Sequence, residues 1–251
     1  MKNKANKSFS LLGYIAFSIV FVIVATLFIV ISSLINSKEL PAAAEKSSST
    51  IVIIDAGHGG EDGGTIGVNG CYEKDINLEI AKKLCVFLSS RGIKTILTRD
   101  SDMLLYDRNQ DFQGRKKHLD MLARLQIVNS YENAIFVSIH QNAFPQEKYS
   151  GFQTYYSQNN ESSLALANLI EKGIKEHLQP ENNRKAKMSA GKIYLLDKLN
   201  CPAVLLECGF LSNTEECALL CSDEYQNKLC AVISESIEGF LYGKSILDTT
   251  Q

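Results

Sequence analysis

The sequence predicts an α/β fold, a single domain with a mostly parallel twisted sheet flanked by helices. Short apolar runs rich in β-branched residues alternate with longer segments in which apolar residues recur every three or four positions. This alternation is typical of parallel sheets, because parallel strands need a crossover connection between them. Hydrophobic residues make up 45% of the 251 residues, which is enough for a substantial core.

The first 49 residues are not expected to belong to this domain. Residues 1–10 form a basic tail, and residues 11–35 form an uncharged apolar run long enough to span a bilayer core of ~30 Å. Because positive charge stays on the cytoplasmic side, we expect a single-pass cell-membrane anchor with the rest of the chain outside the cytoplasm. The small residues at 41–45 leave signal cleavage as an alternative.

The predicted domain covers residues 50–243. Residues 36–49 form a polar linker that cannot bury enough apolar surface to fold, and residues 244–251 form a tail. Apolar runs predict strands at residues 51–55, 93–99, 134–140, 152–156 and 202–207, and a short extended piece at residues 193–196. The strand at 51–55 runs directly into a bend rich in glycine.

Helices are predicted between these strands. In the first, Ile76, Ile80 and Leu84 recur every four residues, which is typical of a buried helix face. We expect Asp75 as its N-cap and Gly92 at its end. Later helices are predicted to end near residue 131, to span residues 162–178, to follow the capping sequence 212–215, and to span residues 224–240, with loops at 100–115 and 179–190.

Polar side chains stand at the carboxyl ends of three predicted strands. His58 follows the first strand, and His140 and Glu207 end two later ones. In a parallel sheet these ends share one edge, where open α/β sheets bind their ligands. Glu73 lies at the start of the first helix, which begins on the same side. We therefore expect two histidines and two carboxylates to converge there.

Two histidines and one glutamate with an open fourth position are a known catalytic zinc set. Zinc lowers the pKa of its bound water towards ~7, and a separate carboxylate can pass that proton to a leaving amine. His58, His140 and Glu73 would then hold the metal, and Glu207 would do the acid–base work. Topology alone cannot say which glutamate has which role. The alternative is that hydrogen bonds satisfy each of these groups separately.

Composition argues against several other functions. The net charge of −2 lacks the basic excess that binds nucleic-acid phosphates. His118 follows two lysines and His177 lies near a helix end, so neither is expected to bind a metal.

Seven cysteines cannot all pair within one chain, and without a CxxC pair a structural cysteine–zinc site is not expected. Cys217 and Cys221 are spaced for one helix face, and most cysteines are expected to be small buried residues.

Five motifs in the domain resemble those of a known family. They are residues 54–60 (IDAGHGG), 73–78 (EKDINL), 97–99 (LTR), 138–143 (SIHQNA) and 206–213 (LECGFLSN). The chain resembles zinc-dependent N-acetylmuramoyl-L-alanine amidases of the Amidase_3 type over residues 50–243. The resemblance implies Zn²⁺ ligands His58, Glu73 and His140, catalytic Glu207, and Arg124 and Asn142 as residues that support the site or contact substrate.

The resemblance also implies a reaction, cleavage of the amide between N-acetylmuramic acid and L-alanine of the stem peptide in peptidoglycan. The anchor and the lack of wall-binding repeats are similar to the CwlD-like sporulation and germination branch. That similarity implies spore-cortex maturation leading to muramic-lactam, in the space around the developing forespore, with an accessory activator protein or lipoprotein as a further partner.

Two other functions stay open at this point. One is a catalytically silent, membrane-anchored module that binds the wall or activates another enzyme, although all four expected site residues are present. The other is a different zinc amide hydrolase, such as a peptidase or deacetylase. The sequence lacks HExxH, the common helical arrangement of zinc peptidases.

Overall fold

The computed structural model describes residues 15, 17–27, 50–107, 109 and 113–243. The predicted anchor is therefore described only in part, and the basic tail, the linker and the tail after residue 243 lie outside the described residues. Residues 17–27 are helical. Among the described residues, no helix combines the length and the apolar character needed to cross a membrane.

The described domain is built on a sheet of six strands. They are β1 (Ile51–Ala56), β2 (Thr95–Leu97), β3 (Ala134–Asn142), β4 (Gln153–Tyr156), β5 (Lys187–Met188) and β6 (Ala203–Phe210). Their spatial order is β2-β1-β3-β6-β4-β5. All neighbouring pairs are parallel except β4 and β6, which run antiparallel. The predicted mostly parallel sheet is therefore confirmed.

Six helices connect and cover these strands in the described domain. They are α1 (Glu73–Ser90), α2 (Lys116–Asn129), α3 (Ser162–His177), α4 (Tyr194–Lys198), α5 (Thr214–Leu220) and α6 (Asp223–Tyr242). Asn213 is the N-cap of α5, and its side chain accepts a hydrogen bond from the Glu216 N–H at 2.9 Å, as the capping sequence predicts. Gly92 follows α1 with φ +73°, a conformation that favours glycine.

The two faces of the sheet pack against different helices. Because side chains alternate along a strand, neighbouring residues such as Ile53 and Ile54 face opposite sides. One face, with Ile54, forms the larger apolar core with α1, α3 and α6. The other face, with Ile53 and Phe136, forms a smaller core with α2 and α4. The side chains of Asp55, His140 and Glu207 belong to this second face by the same alternation.

Several local predictions were wrong. Helix α1 begins at Glu73, and its N-cap is Tyr72, not Asp75. The reason is that carbonyl groups of the glycine-rich loop accept hydrogen bonds from the first N–H groups of the helix; Thr65 O accepts from Glu73 N at 2.9 Å.

The expected extended piece at residues 193–196 was also wrong, because these residues form the N-cap and the first turn of helix α4. Asp197 accepts a hydrogen bond from the Ile193 N–H at 3.1 Å and so stabilises this turn. An apolar run of four residues carries no periodicity that distinguishes helix from strand.

Strand boundaries also differ from the prediction. Strand β2 is limited to Thr95–Leu97, inside the predicted 93–99. Strand β5, Lys187–Met188, lies in a stretch predicted as loop. Strand β5 is exposed and only two residues long, so no apolar pattern marks it in the sequence.

Candidate metal centre

The bend after β1 presents His58 at the carboxyl edge of the sheet. His58 has a φ of +62°, a left-handed conformation that is uncommon for a residue with a β-carbon. Two buried guanidinium groups hold this bend through its carbonyls. Arg124 donates to Ala56 O and His58 O, each at 2.8 Å, and Arg99 donates to Ala56 O at 2.9 Å and to Gly57 O at 3.0 Å. Surrounding contacts of this kind are what sustain a strained backbone at a functional site.

Asp55 anchors Arg124 inside the domain. Its carboxylate accepts hydrogen bonds from Arg124, from Ser138 Oγ at 2.6 Å and from Thr98 Oγ1 at 2.7 Å, and it is 1% exposed. Burial alone would raise the pKa of Asp55, but Arg124 and the two hydroxyl groups outweigh it and lower that pKa. A second carboxylate, Asp120, accepts from Arg124 Nε at 2.8 Å. The guanidinium is thus fixed by carboxylates and aimed at the His58 bend.

Three donor side chains meet beside this bend. Glu73 Oε1 lies 3.2 Å from His58 Nε2 and 3.0 Å from His140 Nδ1. One ligand atom from each residue falls within 4.8 Å of the others. The two imidazole rings approach edge to face, with centroids 4.9 Å apart. Glu73 comes from the start of α1 and His140 from β3, so residues distant in sequence form one cluster.

Glycines make this close approach possible. A β-carbon at position 57 would lie 2.3 Å from the His140 ring, and one at position 64 would lie 2.6 Å from Glu73 Oε2. Neither distance is compatible with van der Waals packing. The glycine-rich bend therefore makes room for the side chains of His140 and Glu73, which come from other elements.

The donor set fits a tetrahedral metal ion. Nitrogen and oxygen ligands lie ~2.0–2.1 Å from zinc, so two tetrahedral ligands are separated by roughly 3.4 Å. The observed separations of 3.0 and 3.2 Å around Glu73 Oε1 are close to that value. Backbone N–H groups of Gln141 and Thr65 donate to the Glu73 carboxylate at 3.1 and 2.9 Å. Asp62 Oδ2 lies 3.0 Å from His58 Nδ1, the usual position for a carboxylate that orients a metal-binding imidazole.

The charges of this cluster favour a cation. Burial alone would lower the pKa of His58, but its contacts with Asp62 and Glu73 outweigh this and raise the pKa to about 9. Burial alone would raise the pKa of Glu73, yet the His140 and His58 imidazoles hold it well below its usual range. The raised pKa of His58 means that the imidazole holds its proton tightly between two ionised carboxylates. A metal cation could replace this proton and balance the same negative charge.

Glu207 stands directly beside this cluster. It pairs with His140 in the register between β3 and β6. Its Oε2 is shielded from solvent and has no hydrogen-bond partner among the described residues. Burial raises the pKa of Glu207 to about 7; the His140 imidazole opposes this shift, and the Glu73 carboxylate adds to it. A carboxyl group with a pKa near neutrality can both accept and donate a proton.

The other sequence-predicted residues occupy different positions. Arg124 contacts the His58 carbonyl and so supports the bend. Asn142 is the last residue of β3, and its side-chain oxygen accepts a hydrogen bond from the neighbouring Ala143 N–H at 2.8 Å. His118 lies on α2 with its ring 6.0 Å from that of Tyr194, and His177 ends α3, so both lie outside the cluster.

Sequence reasoning missed several supporting residues. These are Asp62, Asn77, Arg99 and Gln141. Asn77 Nδ2 donates to Gly57 O at 3.1 Å, and Gln141 Nε2 donates to Asn77 Oδ1 at 3.0 Å. For Asp62 a local signal existed, since it lies four residues after His58 in the same bend. The other three act through contacts distant in sequence, which local patterns do not reveal.

A cavity of about 230 Å³ opens beside the cluster on the second face of the sheet. Its polar wall includes His58, His140 and Asp62, and its apolar wall includes Met121 and Leu205. Small-molecule and substrate sites combine a largely apolar wall with a few convergent polar groups. The cluster is therefore accessible to a substrate from this side.

The family model, the similar sequences and the similar structures all belong to one protein family. A family model described as N-acetylmuramoyl-L-alanine amidase (Amidase_3) matches residues 52–239. The germination-specific N-acetylmuramoyl-L-alanine amidase of Bacillus subtilis (strain 168) is 36% identical over 190 residues, which are 76% of this chain and 79% of that protein.

Two solved structures are also similar. The CwlD amidase from Clostridioides difficile, solved in complex with the GerS lipoprotein, has a TM-score of 0.73 and 40% identity, covering 78% of this chain and 100% of that one. The N-acetylmuramoyl-L-alanine amidase from Clostridium difficile 630 has a TM-score of 0.67 and 30% identity, covering 79% and 100%.

Proposed function

Because this chain belongs to the Amidase_3 family of N-acetylmuramoyl-L-alanine amidases, we propose that it cleaves the muramoyl–L-alanine amide of peptidoglycan with zinc held by His58, Glu73 and His140. Glu207 serves as its acid–base residue. The observation that carries the proposal is the convergence of three metal donors within 4.8 Å, with Glu207 in register beside His140. This donor set and a separate glutamate match the requirements of metal-assisted amide hydrolysis.

The ligand residues have distinct tasks in this proposal. When bound, zinc would polarise the scissile carbonyl and lower the pKa of an attacking water. His58 contributes Nε2, and Asp62 on its other nitrogen fixes the ring orientation. Glu73 supplies negative charge that partly offsets the dication, and the N–H groups of Gln141 and Thr65 hold its carboxylate in place. Arg124 and Arg99 keep the strained bend from relaxing.

Glu207 moves the proton. Its solvent-shielded Oε2, without a partner among the described residues, can accept the proton that the attacking water loses. The same carboxyl group then donates that proton to the nitrogen of L-alanine as the amide C–N bond breaks. Burial raises the pKa of this carboxyl group and so favours its protonated form, whereas the positive charge of a bound zinc ion would act in the opposite direction and favour the ionised form that accepts a proton.

Metal analysis combined with a peptidoglycan digest tests these roles. We expect Glu207→Ala to retain zinc and to lose at least about 100-fold in release of free stem peptide, as expected for removal of a general acid–base. His58→Ala should lose both zinc and hydrolysis. His118→Ala, whose ring lies outside the cluster, should retain both and serves as the matched control.

The same experiment separates the alternative functions. Zinc-loaded wild-type protein that releases no stem peptide, even with its accessory protein added, would support the catalytically silent module. Release of acetate would indicate a deacetylase, and cleavage between amino acids of the stem would indicate a peptidase. Either product in place of intact stem peptide would contradict the proposal.

We further propose that the biological substrate is spore-cortex peptidoglycan and that the product is converted to muramic-lactam. The similarity to the germination-specific amidase of Bacillus subtilis supports this setting. Spores that lack the protein should contain less muramic-lactam when their muropeptides are measured by mass spectrometry. An unchanged muramic-lactam content would exclude this role while leaving the amidase activity intact.

We propose two features of its cellular context. An accessory lipoprotein binds the catalytic domain, because the similar CwlD amidase was solved with the GerS lipoprotein. The domain acts outside the cytoplasm, around the developing forespore, because its peptidoglycan substrate lies there; the membrane anchor over residues 11–35 stays a prediction of the sequence. Immunofluorescence of an epitope-tagged protein that labels a ring around the forespore would support this location, whereas uniform label throughout the mother-cell cytoplasm would contradict it.

A further inference from the structure

Three cysteine thiols form a second cluster, separate from the His58–Glu73–His140 centre. The sulfur atoms of Cys71, Cys217 and Cys221 all lie within 4.8 Å of one another. The Cys71 and Cys217 sulfurs are 3.7 Å apart. All seven cysteines lie within the described part of the chain and are free thiols. The amidase mechanism uses none of these three thiols.

Two chain segments bring the thiols together. Cys71 ends the glycine-rich loop, just before α1, whereas Cys217 lies in α5 and Cys221 is the C-cap of that helix. The spacing of four residues places Cys217 and Cys221 on the same helix face. The loop is held against the segment after β6, because Val68 N donates to Leu211 O at 3.0 Å.

The backbone is fitted closely around the sulfurs. A β-carbon at Gly67 would lie 2.6 Å from Cys71 Sγ and 2.8 Å from Cys217 Sγ, so no other residue fits at position 67 without displacing them. Asn69 connects two members of the cluster. Its Oδ1 accepts from the Cys71 N–H at 3.0 Å, and its Nδ2 donates to Cys221 Sγ at 3.4 Å. A donor on a cysteine sulfur is a common support for a metal-bound thiolate.

The geometry agrees with a metal-binding thiolate set. Zinc–sulfur bonds are ~2.3 Å long, so two sulfurs of a tetrahedral site are separated by roughly 3.75 Å. The observed 3.7 Å between Cys71 and Cys217 is close to this value. A disulfide would need these sulfurs ~2.05 Å apart. Cys217 is buried while Cys221 is exposed, so the cluster has both a protected side and a path for an ion to enter.

We propose that Cys71, Cys217 and Cys221 bind a second zinc ion through three sulfur ligands, with the fourth position open to water. The ion would tie the loop that leads into Glu73 to the helix that follows the Glu207 strand. It would thereby stabilise the relative positions of the metal ligand and the proposed acid–base residue. This structural site does not depend on the proposed catalytic chemistry.

Cobalt substitution of the full chain tests the proposal. We expect Co²⁺ added to reduced, metal-free protein to produce a thiolate-to-cobalt charge-transfer band, which histidine and glutamate ligands cannot produce. Zinc analysis should give two ions per chain. Cys217→Ser should abolish the band and remove one of the two zinc ions. Cys201→Ser, a half-buried cysteine outside the cluster, should leave both unchanged.

Two further variants keep the test decisive. Cys221→Ser alters only the exposed member, so it should weaken or remove the band even if Cys217→Ser fails to fold. His58→Ala should remove the catalytic zinc but retain the charge-transfer band, which separates failure of this site from failure of the proposed amidase mechanism. Absence of the band in wild-type protein, or a Cys71–Cys217 disulfide found by alkylation and mass spectrometry in freshly isolated protein, would overturn the proposal.

Discussion

The two faces of the central sheet show how the same strands serve stability and chemistry. On one face, apolar side chains such as Ile54 and Val137 pack under α1, α3 and α6 and are fully buried. On the other face, their neighbours Asp55 and Ser138 form the polar support of the candidate metal centre. Because a strand alternates its side chains, one residue step along β1 moves from core packing to site chemistry.

The faces are stabilised by different interactions. The apolar face gains free energy from removal of surface from water, which is spread over many side chains. The polar face depends on specific partners, because a buried charge without a counter-charge is costly. Damage to the first face should therefore lower stability and leave the chemistry of folded molecules unchanged. Damage to the second should affect the site as well.

The largest expected effect comes from removing the buried guanidinium. Arg124→Met leaves Asp55 buried without its charged partner, which we expect to lower the free energy of unfolding by about 3–5 kcal/mol. It also frees the His58 carbonyl, so zinc affinity should fall. Urea unfolding and a zinc titration measure the two effects. The double variant Asp55→Asn/Arg124→Met should recover part of the lost stability. If it is no more stable than Arg124→Met alone, the broken ion pair is not the cause of the destabilisation.

The pH dependence of that destabilisation tests the same pair. The pKa of Asp55 is lowered in the folded protein, so its stabilising contribution is present above the unfolded pKa of about 3.9 and is lost as pH falls through the folded value. Without Arg124, burial should instead raise this pKa. The difference in unfolding free energy between wild type and Arg124→Met should therefore be larger at neutral pH than at pH 4. It should begin to shrink as pH falls through the raised pKa of Asp55 in the variant, and it should shrink further as pH falls from about 4 through the lowered pKa of Asp55 in the wild type. A difference independent of pH would contradict this account.

A core truncation on the apolar face should behave differently. Leu84→Ala removes a fully buried side chain of α1, and we expect a loss of about 2–5 kcal/mol in the free energy of unfolding. Below the unfolding transition, zinc stoichiometry and stem-peptide release per folded molecule should match wild type. If zinc binding fell in proportion to stability, the two faces would be coupled more tightly than their packing indicates.

The smallest effect is expected at the support of His58. Asp62→Asn keeps the shape of the side chain but removes the charge that orients the ring, so we expect zinc affinity to fall about 10–100-fold. A competition titration with a chelator measures this change. Glu61→Gln is the matched control, because that neighbouring carboxylate contacts Lys116 instead. Equal losses for both variants would indicate a general charge effect.

Local sequence patterns were sufficient for most of the fold. The apolar run of β3 and the N-cap Asn213 both marked elements that the structure contains. The errors fall where hydrogen bonds between nearby residues decide the local structure and the apolar pattern does not. Helix α1 begins at Glu73 because loop carbonyls satisfy its first turn, and α4 forms where the Asp197 carboxylate accepts a hydrogen bond from the Ile193 N–H. Both contacts join residues close in sequence, but neither changes the spacing of apolar residues on which the prediction depends.

The sequence by itself determined which residues stand at strand ends and which faces are apolar, because these properties follow from the period of the strand and the helix. It therefore identified His58, His140 and Glu207 as candidates, with Glu73 expected at the same edge of the sheet. Only the tertiary structure decided which contacts these and other groups make: Glu73 Oε1 beside both imidazoles, Arg124 on the His58 carbonyl, and Cys71 against Cys217. These contacts depend on strand order, register and loop path, which arise from packing of the whole domain. No periodic pattern in the sequence reveals them.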